Sequence, residues 1–200
     1  EDQQVIIHKP DISESEKFPL NGLTYTKQRD YFKSGINICI GEGLVFSNGF
    51  ECEITSKIPI QAGVGSSSAV MVNWIHFLTQ MADTPVIWNE QKIGELAYRA
   101  EVLEFNEPGG MMDQYTASMG NMIYLISEPT ISIKSLNPNL GSFVLGDSCE
   151  PKDTMGILQR CRDARVKIIQ KLKEKTPNFN IHNSKDVDLS LLNEEEKNIF

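Results

Sequence analysis

Pro59-Ile60-Gln61-Ala62-Gly63-Val64-Gly65-Ser66-Ser67-Ser68-Ala69 joins an alternating segment to a long apolar one. Upstream, Phe50, Cys52 and Ile54 alternate with Glu51, Glu53 and Thr55, the period of a half-buried strand over 50–58 that Pro59 ends. Downstream, Ala69, Val70, Met71, Val72, Trp74, Ile75, Phe77 and Leu78 predict a central, mostly buried helix over 68–82. A glycine-rich loop between strand and helix lets the backbone turn tightly, and the N–H groups of the helix start point at an anion. Two readings are open from composition alone: a cradle for phosphate, or serines that cap a core helix. No Lys follows the second glycine, so this is not a Walker A loop. Gly63-x-Gly65-x-x-Ser68 lacks the third glycine of a dinucleotide fingerprint, and Asp83 follows a helix where a ribose-binding acid follows a strand.

Working outward, the first 28 residues predict a strand at 5–7 and then loop, broken by Pro10 and Pro19. A short helix is expected over 31–40, and Gly41, Gly43, Asn48 and Gly49 punctuate a hairpin whose second arm is 50–58. Ile93, Leu96, Ala97, Ala100 and Leu103 form one stripe of a helix over 90–105, with Asn89 as its N-cap. Pro108-Gly109-Gly110 breaks that pattern. A short helix over 111–119 closes on Gly120, strands follow at 122–126, 131–133 and 142–145, and a basic helix covers 155–174. His76 is expected inside the buried helix, and Met111, Met112, Met119 and Met122 in the core. Glu194 to Glu196 read as a solvated charge run.

The 200 residues are 40% hydrophobic and 23% charged, the balance of a globular chain and not of a disordered tail. A net charge of −8 offers nothing to nucleic acid or an anionic membrane, so an anionic ligand must be held locally. Cys39, Cys52, Cys149 and Cys161 are widely spaced, without a C-x-x-C pair; neither zinc nor a disulfide framework is indicated, and a reducing, cytoplasmic setting is expected. The longest apolar run, 69–81, is interrupted by Asn73, His76, Thr79 and Gln80 and is too short to cross a bilayer. His8, His76 and His182 are scattered and support no triad or metal set.

Taken with Glu101 and Pro108-Gly109-Gly110-Met111-Met112-Asp113-Gln114, the loop resembles the GHMP kinases, the family of galactokinase, homoserine, mevalonate and phosphomevalonate kinases. Their second signature, P-x-x-x-G-[LV]-[GS]-S-S-[AS]-[AS], is similar throughout to Pro59–Ala69. The G-x-M-D-Q element at 110–114, with Ala100-Glu101 shortly before it, resembles the sugar-1-kinase branch around galactokinase. Weaker likeness extends to 31–35 and 143–148. The resemblance implies an α/β fold in the broad α+β sense. Residues 1–145 would be the N-terminal domain, similar to the ribosomal-S5-like fold and incomplete at its start; residues 146–200 would begin a ferredoxin-like second domain.

It implies ATP and Mg²⁺ as cofactors and a monosaccharide as partner, with the sugar's anomeric hydroxyl phosphorylated and galactose first among the substrates. The backbone of Gly63, Val64, Gly65, Ser66, Ser67 and Ser68 would wrap the ATP phosphates. Ser67 and Glu101 would hold Mg²⁺, with Glu104 as a competing ligand. Asp113 would act on the acceptor hydroxyl, and Gly110 would let backbone approach the sugar. From the residues alone, Asp113 reads equally as a first-turn helix acid, Gly110 as a turn glycine, and Arg160, Arg162 and Arg165 as a solvated helix face. The alternatives are a sibling kinase acting on arabinose, fucose or a heptose, and a non-catalytic sensor of ATP and sugar; a purely structural domain is a third option. The family's first and third signatures are not found between residues 1 and 200. The chain is therefore expected to be the middle of a longer kinase, without turnover on its own and with oligomeric state undetermined.

Overall fold

A strand of alternating burial opens the molecule. In β1 (Gln4–Lys9) Val5 and Ile7 are fully buried while Ile6 and His8 face outward. The computed structural model describes residues 3–60, 62–146, 154–176, 179–180 and 187–199; Gln61, Asp147, Ser148, Cys149 and His182, on which expectations also fell, lie outside the described residues. The described part forms two compact units, 1–152 and 153–200.

The stretch after β1 is not loop. β2 (Glu14–Pro19) pairs antiparallel with β1, from Gln4↔Pro19 to Lys9↔Glu14. Its sequence hides it, because an edge strand with one buried side chain, Phe18, shows no alternation. Nor is there a hairpin over 41–58. After α1 (Tyr31–Gly41) the chain returns as β3 (Phe50–Glu53), which pairs parallel with β1 and gives the order β2-β1-β3. A parallel return needs a crossover element, and α1 supplies it.

α2 (Ser66–Met81) is central, packing against α1, α3 (Glu90–Tyr98) and α4 (Met112–Met119). Met71, Trp74, Ile75 and Leu78 join Val5, Ile7, Phe50, Ile36 and Cys39 in one buried cluster. Trp74 sits in an aromatic nest, its ring centroid 5.1 Å from Phe32, 5.4 Å from Phe77 and 5.9 Å from Phe50, and its indole N–H donates to the Phe32 carbonyl at 3.0 Å. Burial raises the Cys39 thiol to about 12, so it packs as a small apolar group. His76 is exposed, a correction: it stands on the one face of α2 that no neighbour covers.

Asn89 caps α3 as expected, accepting from the Lys92 N–H at 2.8 Å. The helix then widens into a π-helical turn at Arg99–Leu103. The extra residue in that turn shifts the phase, so Ala100, Glu101 and Val102 are buried while Leu103, expected on the apolar stripe, is exposed. α4 ends at Gly120. β4 (Met122–Ile126) then pairs with β5 (Ser132–Leu136), which lies slightly later than the expected 131–133; residues 142–145 form no strand. The four methionines expected in the core are not there: Met112 and Met122 are exposed, and Met111 and Met119 half-buried.

In the second unit Ile168 and Leu172 of α5 (Thr154–Lys175) form a small core with Leu192, and Ile199 of α6 (Glu194–Ile199) packs against it. Glu196 is not simply solvated; it accepts from Lys171 at 2.5 Å and from the Asn193 N–H. No helix among the described residues is long and apolar enough to cross a membrane.

Candidate functional site

The turn entering α2 is built by two glycines in the left-handed region, Gly63 at φ 75° and Gly65 at φ 71°, where a side chain would strain the backbone. Gly65 is the N-cap, no side chain caps the helix, and the first intrahelical bond runs from Ala69 N–H to the Gly65 carbonyl at 3.0 Å. Ser66, Ser67 and Ser68 therefore begin the helix with N–H groups that the helix itself leaves unsatisfied. The capping alternative is not realised. The turn is also open, with Ala62, Gly63, Val64 and Ser67 exposed.

Facing it is α4. A Cβ placed on Gly65 would lie 3.8 Å from Asp113 Oδ2 and 3.9 Å from its Cγ, so the carboxylate and the turn border one space. Asp113 is exposed, carries no hydrogen bond among the described residues, and is at once a first-turn acid of α4. The approach of α4 depends on a residue the sequence did not single out. A Cβ on Gly94 of α3 would meet Ser118 Oγ at 2.6 Å and Tyr115 Cα at 3.2 Å, so only glycine lets the two helices come this close.

Beneath the turn, Glu101 is 5% exposed, rotated inward by the π-helical turn. Its one hydrogen-bond donor among the described residues is Gln114, whose Nε2 lies 2.7 Å from Glu101 Oε2 and 3.1 Å from Ser68 Oγ. The cations nearby are taken: Arg29 by Glu107, Lys33 by Asp30, Lys92 and Arg99 by Glu42. Arg29, although paired with Glu107, also acts on Glu101 through its charge; a buried carboxylate is still costly, and a cation from outside relieves that cost further. Glu104, the competing acid, is exposed and accepts from the Tyr25 hydroxyl at 2.6 Å. Burial of Tyr25 pushes its phenol up to about 12, which keeps it a donor at neutral pH. Among the described residues Ser68 is linked to Glu101 through Gln114, and Ser67 has no such link.

Mg²⁺ prefers few protein oxygens and several waters, so one buried carboxylate and a serine hydroxyl fit it better than a dense cluster would. Among the described residues no group of three or more His, Cys, Asp or Glu gathers that could hold a metal ion. The segment before α4 is tied down by Glu107, which accepts from Arg29 and, at 3.1 Å, from the Tyr31 hydroxyl. Gly110 is exposed, and a side chain there would meet nothing within 4 Å, so packing does not require glycine. Arg160 and Arg165 are exposed on α5, and Arg162 pairs with its neighbour Asp163 at 3.2 Å.

Two hollows flank the turn and α4. A groove of about 390 Å³ runs along one stripe of α2, lined by Ala69, Val70, Asn73, Trp74 and Phe77 and by residues 52–56. A larger cavity of about 1160 Å³ lies between α4 and the β4–β5 hairpin, with Gly110, Met111, Met112 and Thr116 on its wall. Asp113, one residue past Met112, is turned about 100° away from that wall toward Gly65.

Residues 30–121, the segment from α1 to the end of α4, match the family described as GHMP kinases N terminal domain. That segment is similar to the N-terminal domain of the GHMP kinases. The mevalonate kinase of Pyrococcus abyssi is 25% identical over 149 residues, 74% of this chain and 43% of that protein. The D-glycero-alpha-D-manno-heptose 7-phosphate kinase of Campylobacter jejuni is 28% identical over 130 residues, 62% of this chain and 37% of that protein. The chain thus spans less than half the length of these two relatives. Among solved structures, a putative sugar kinase from Campylobacter jejuni superposes with a TM-score of 0.56 at 25% identity, covering 70% of this chain and 45% of that one. The galactokinase of Lactococcus lactis superposes with a TM-score of 0.67 at 15% identity, over 95% of this chain and 50% of that one, a likeness of fold. The mixed α/β architecture is that of the GHMP kinase N-terminal domain.

Proposed function

We propose that this chain is the nucleotide- and acceptor-binding part of an ATP-dependent kinase that phosphorylates a hydroxyl of a monosaccharide. The observation that carries the proposal is the carboxylate of Asp113 facing the uncapped, glycine-built start of α2, with the buried carboxylate of Glu101 close by. Phosphoryl transfer asks mainly for positioning and charge neutralisation, and these residues are of the types it needs. The N–H groups of 63–68 hold phosphate oxygens, Ser67 and Glu101 hold Mg²⁺, and the groove beside α2 takes the nucleobase. Asp113 orients the acceptor hydroxyl and receives its proton. Bound there, ATP with Mg²⁺ supplies the electrophilic γ-phosphoryl group. Residues 1–145 serve as the N-terminal domain and 146–200 as the start of a second one, in a reducing cytoplasm that the unpaired Cys39, Cys52 and Cys161 suit.

Galactose is the first acceptor to test, on the G-x-M-D-Q element at 110–114; the second reading, a heptose 7-phosphate, is favoured by the 28% identical relative. The complete protein carrying this chain should release ADP in a coupled assay with one of galactose, arabinose, fucose, a heptose 7-phosphate or mevalonate. Turnover with mevalonate alone would overturn the sugar assignment, and binding without turnover would make the protein a sensor. Saturating Mg-ATP should also raise the melting temperature. Binding at about 100 times Kd contributes about 2.7 kcal/mol, or roughly 5–10 °C for a protein of about 150–250 residues and less for a longer one. No shift at millimolar Mg-ATP would remove the nucleotide from the scheme.

A further inference from the structure

The amide of Gln114 is 2% exposed, and its Nε2 donates to two groups at once, Glu101 Oε2 at 2.7 Å and Ser68 Oγ at 3.1 Å. A carboxylate only accepts, so the amide nitrogen and not the oxygen must face Glu101. That choice forces Oε1 the other way, where it is buried with no hydrogen-bond partner among the described residues. Orphaned buried acceptors are costly, and a protein usually keeps one where something outside the chain completes it. Among the described residues no other hydrogen-bond donor restrains the Glu101 carboxylate, which comes from the π-helical turn while Ser68 comes from α2 and Gln114 from α4.

We infer that Gln114 is a positioning residue: it fixes the Glu101 carboxylate and the Ser68 hydroxyl in one orientation across three elements, so that Glu101 would be held ready for the metal, and it leaves Oε1 for a donor from outside the chain. The inference rests on the proposed metal-binding role of Glu101. Hydrogen-bonded partners of metal ligands typically change metal affinity by about 10–100-fold when removed.

The test uses Gln114→Met, which keeps the shape of the side chain and removes its donors and acceptor, in the complete protein carrying this chain. Mn²⁺ as a probe for the metal, titrated by electron paramagnetic resonance with a non-hydrolysable ATP analogue present, should bind about tenfold more weakly. The Mg²⁺ concentration for half-maximal rate should rise in parallel, with the melting temperature held within a few degrees. Mn²⁺ affinity within twofold of the parent in a folded Gln114→Met protein overturns the inference. Glu101→Gln separates the two layers: if it loses Mn²⁺ while Gln114→Met does not, only the role of Gln114 falls; if neither changes affinity, the metal assignment of Glu101 falls as well. Should Gln114→Met fail to fold, Gln114→His keeps an N–H donor at that reach and must retain affinity within about threefold; a folded His variant that loses Mn²⁺ entirely overturns the inference.

Discussion

Replacing Asp113 by asparagine in the complete protein lowers kcat by about 10²–10⁴-fold, the range a positioned general base contributes. The amide has the size of the carboxylate but cannot take a proton from an acceptor hydroxyl, so geometry is kept and chemistry is lost. Asp113 is exposed and makes no hydrogen bond among the described residues, so the fold does not lean on it. What it gives α4 is the favourable term of an acid in a helix's first turn, about 0.3–1 kcal/mol. The melting temperature should therefore fall by only a few degrees while turnover collapses. Coupled ADP release with the best acceptor and a thermal melt of the same preparation check both halves. Turnover within threefold of the parent would make Asp113 a helix acid and nothing more.

Gly35→Ala destabilises the N-terminal unit by about 1–3 kcal/mol, a fall of several degrees in melting temperature. Two effects oppose one another at this helical position. Alanine is the better helix former by about 1 kcal/mol, which would stabilise α1. Against that, the new Cβ would lie 2.5 Å from Trp74 Cδ1 and 2.8 Å from Nε1, distances at which something must move. The indole has nowhere to go, being held by Phe32, Phe50 and Phe77 and by its bond to the Phe32 carbonyl. Overpacking and the disturbed hydrogen bond together exceed the propensity gain. Because Trp74 lies two turns into α2, a displaced indole also shifts the helix that presents the glycine-serine turn. A denaturant titration of the parent and Gly35→Ala measures the outcome; an unchanged or higher midpoint would mean the core accommodates the methyl group.

Glu101 illustrates how far local pattern carries and where it stops. The apolar stripe of 93–100 and the Asn89 cap mark α3 because helix start and period depend on residues a few positions apart. The same periodicity, carried on at an α-helical pitch, puts Leu103 inside, and the π-helical turn puts it outside. Similarly, Glu14–Pro19 carries one inward side chain and so no alternation, yet β1 pairs with it along its whole length.

From sequence alone came the loop of 59–69, the helix behind it and the candidate acids, each readable because turn chemistry and helical periodicity are local properties of neighbouring side chains. Only the tertiary structure decided that Gly65 and Asp113 face one space, that Gln114 reaches Ser68 forty-six positions away as well as Glu101, and that β3 returns parallel to β1. Those outcomes depend on how closely helices approach, set by Gly35 against Trp74 and Gly94 against Tyr115, and contacts between distant residues leave no period along the chain.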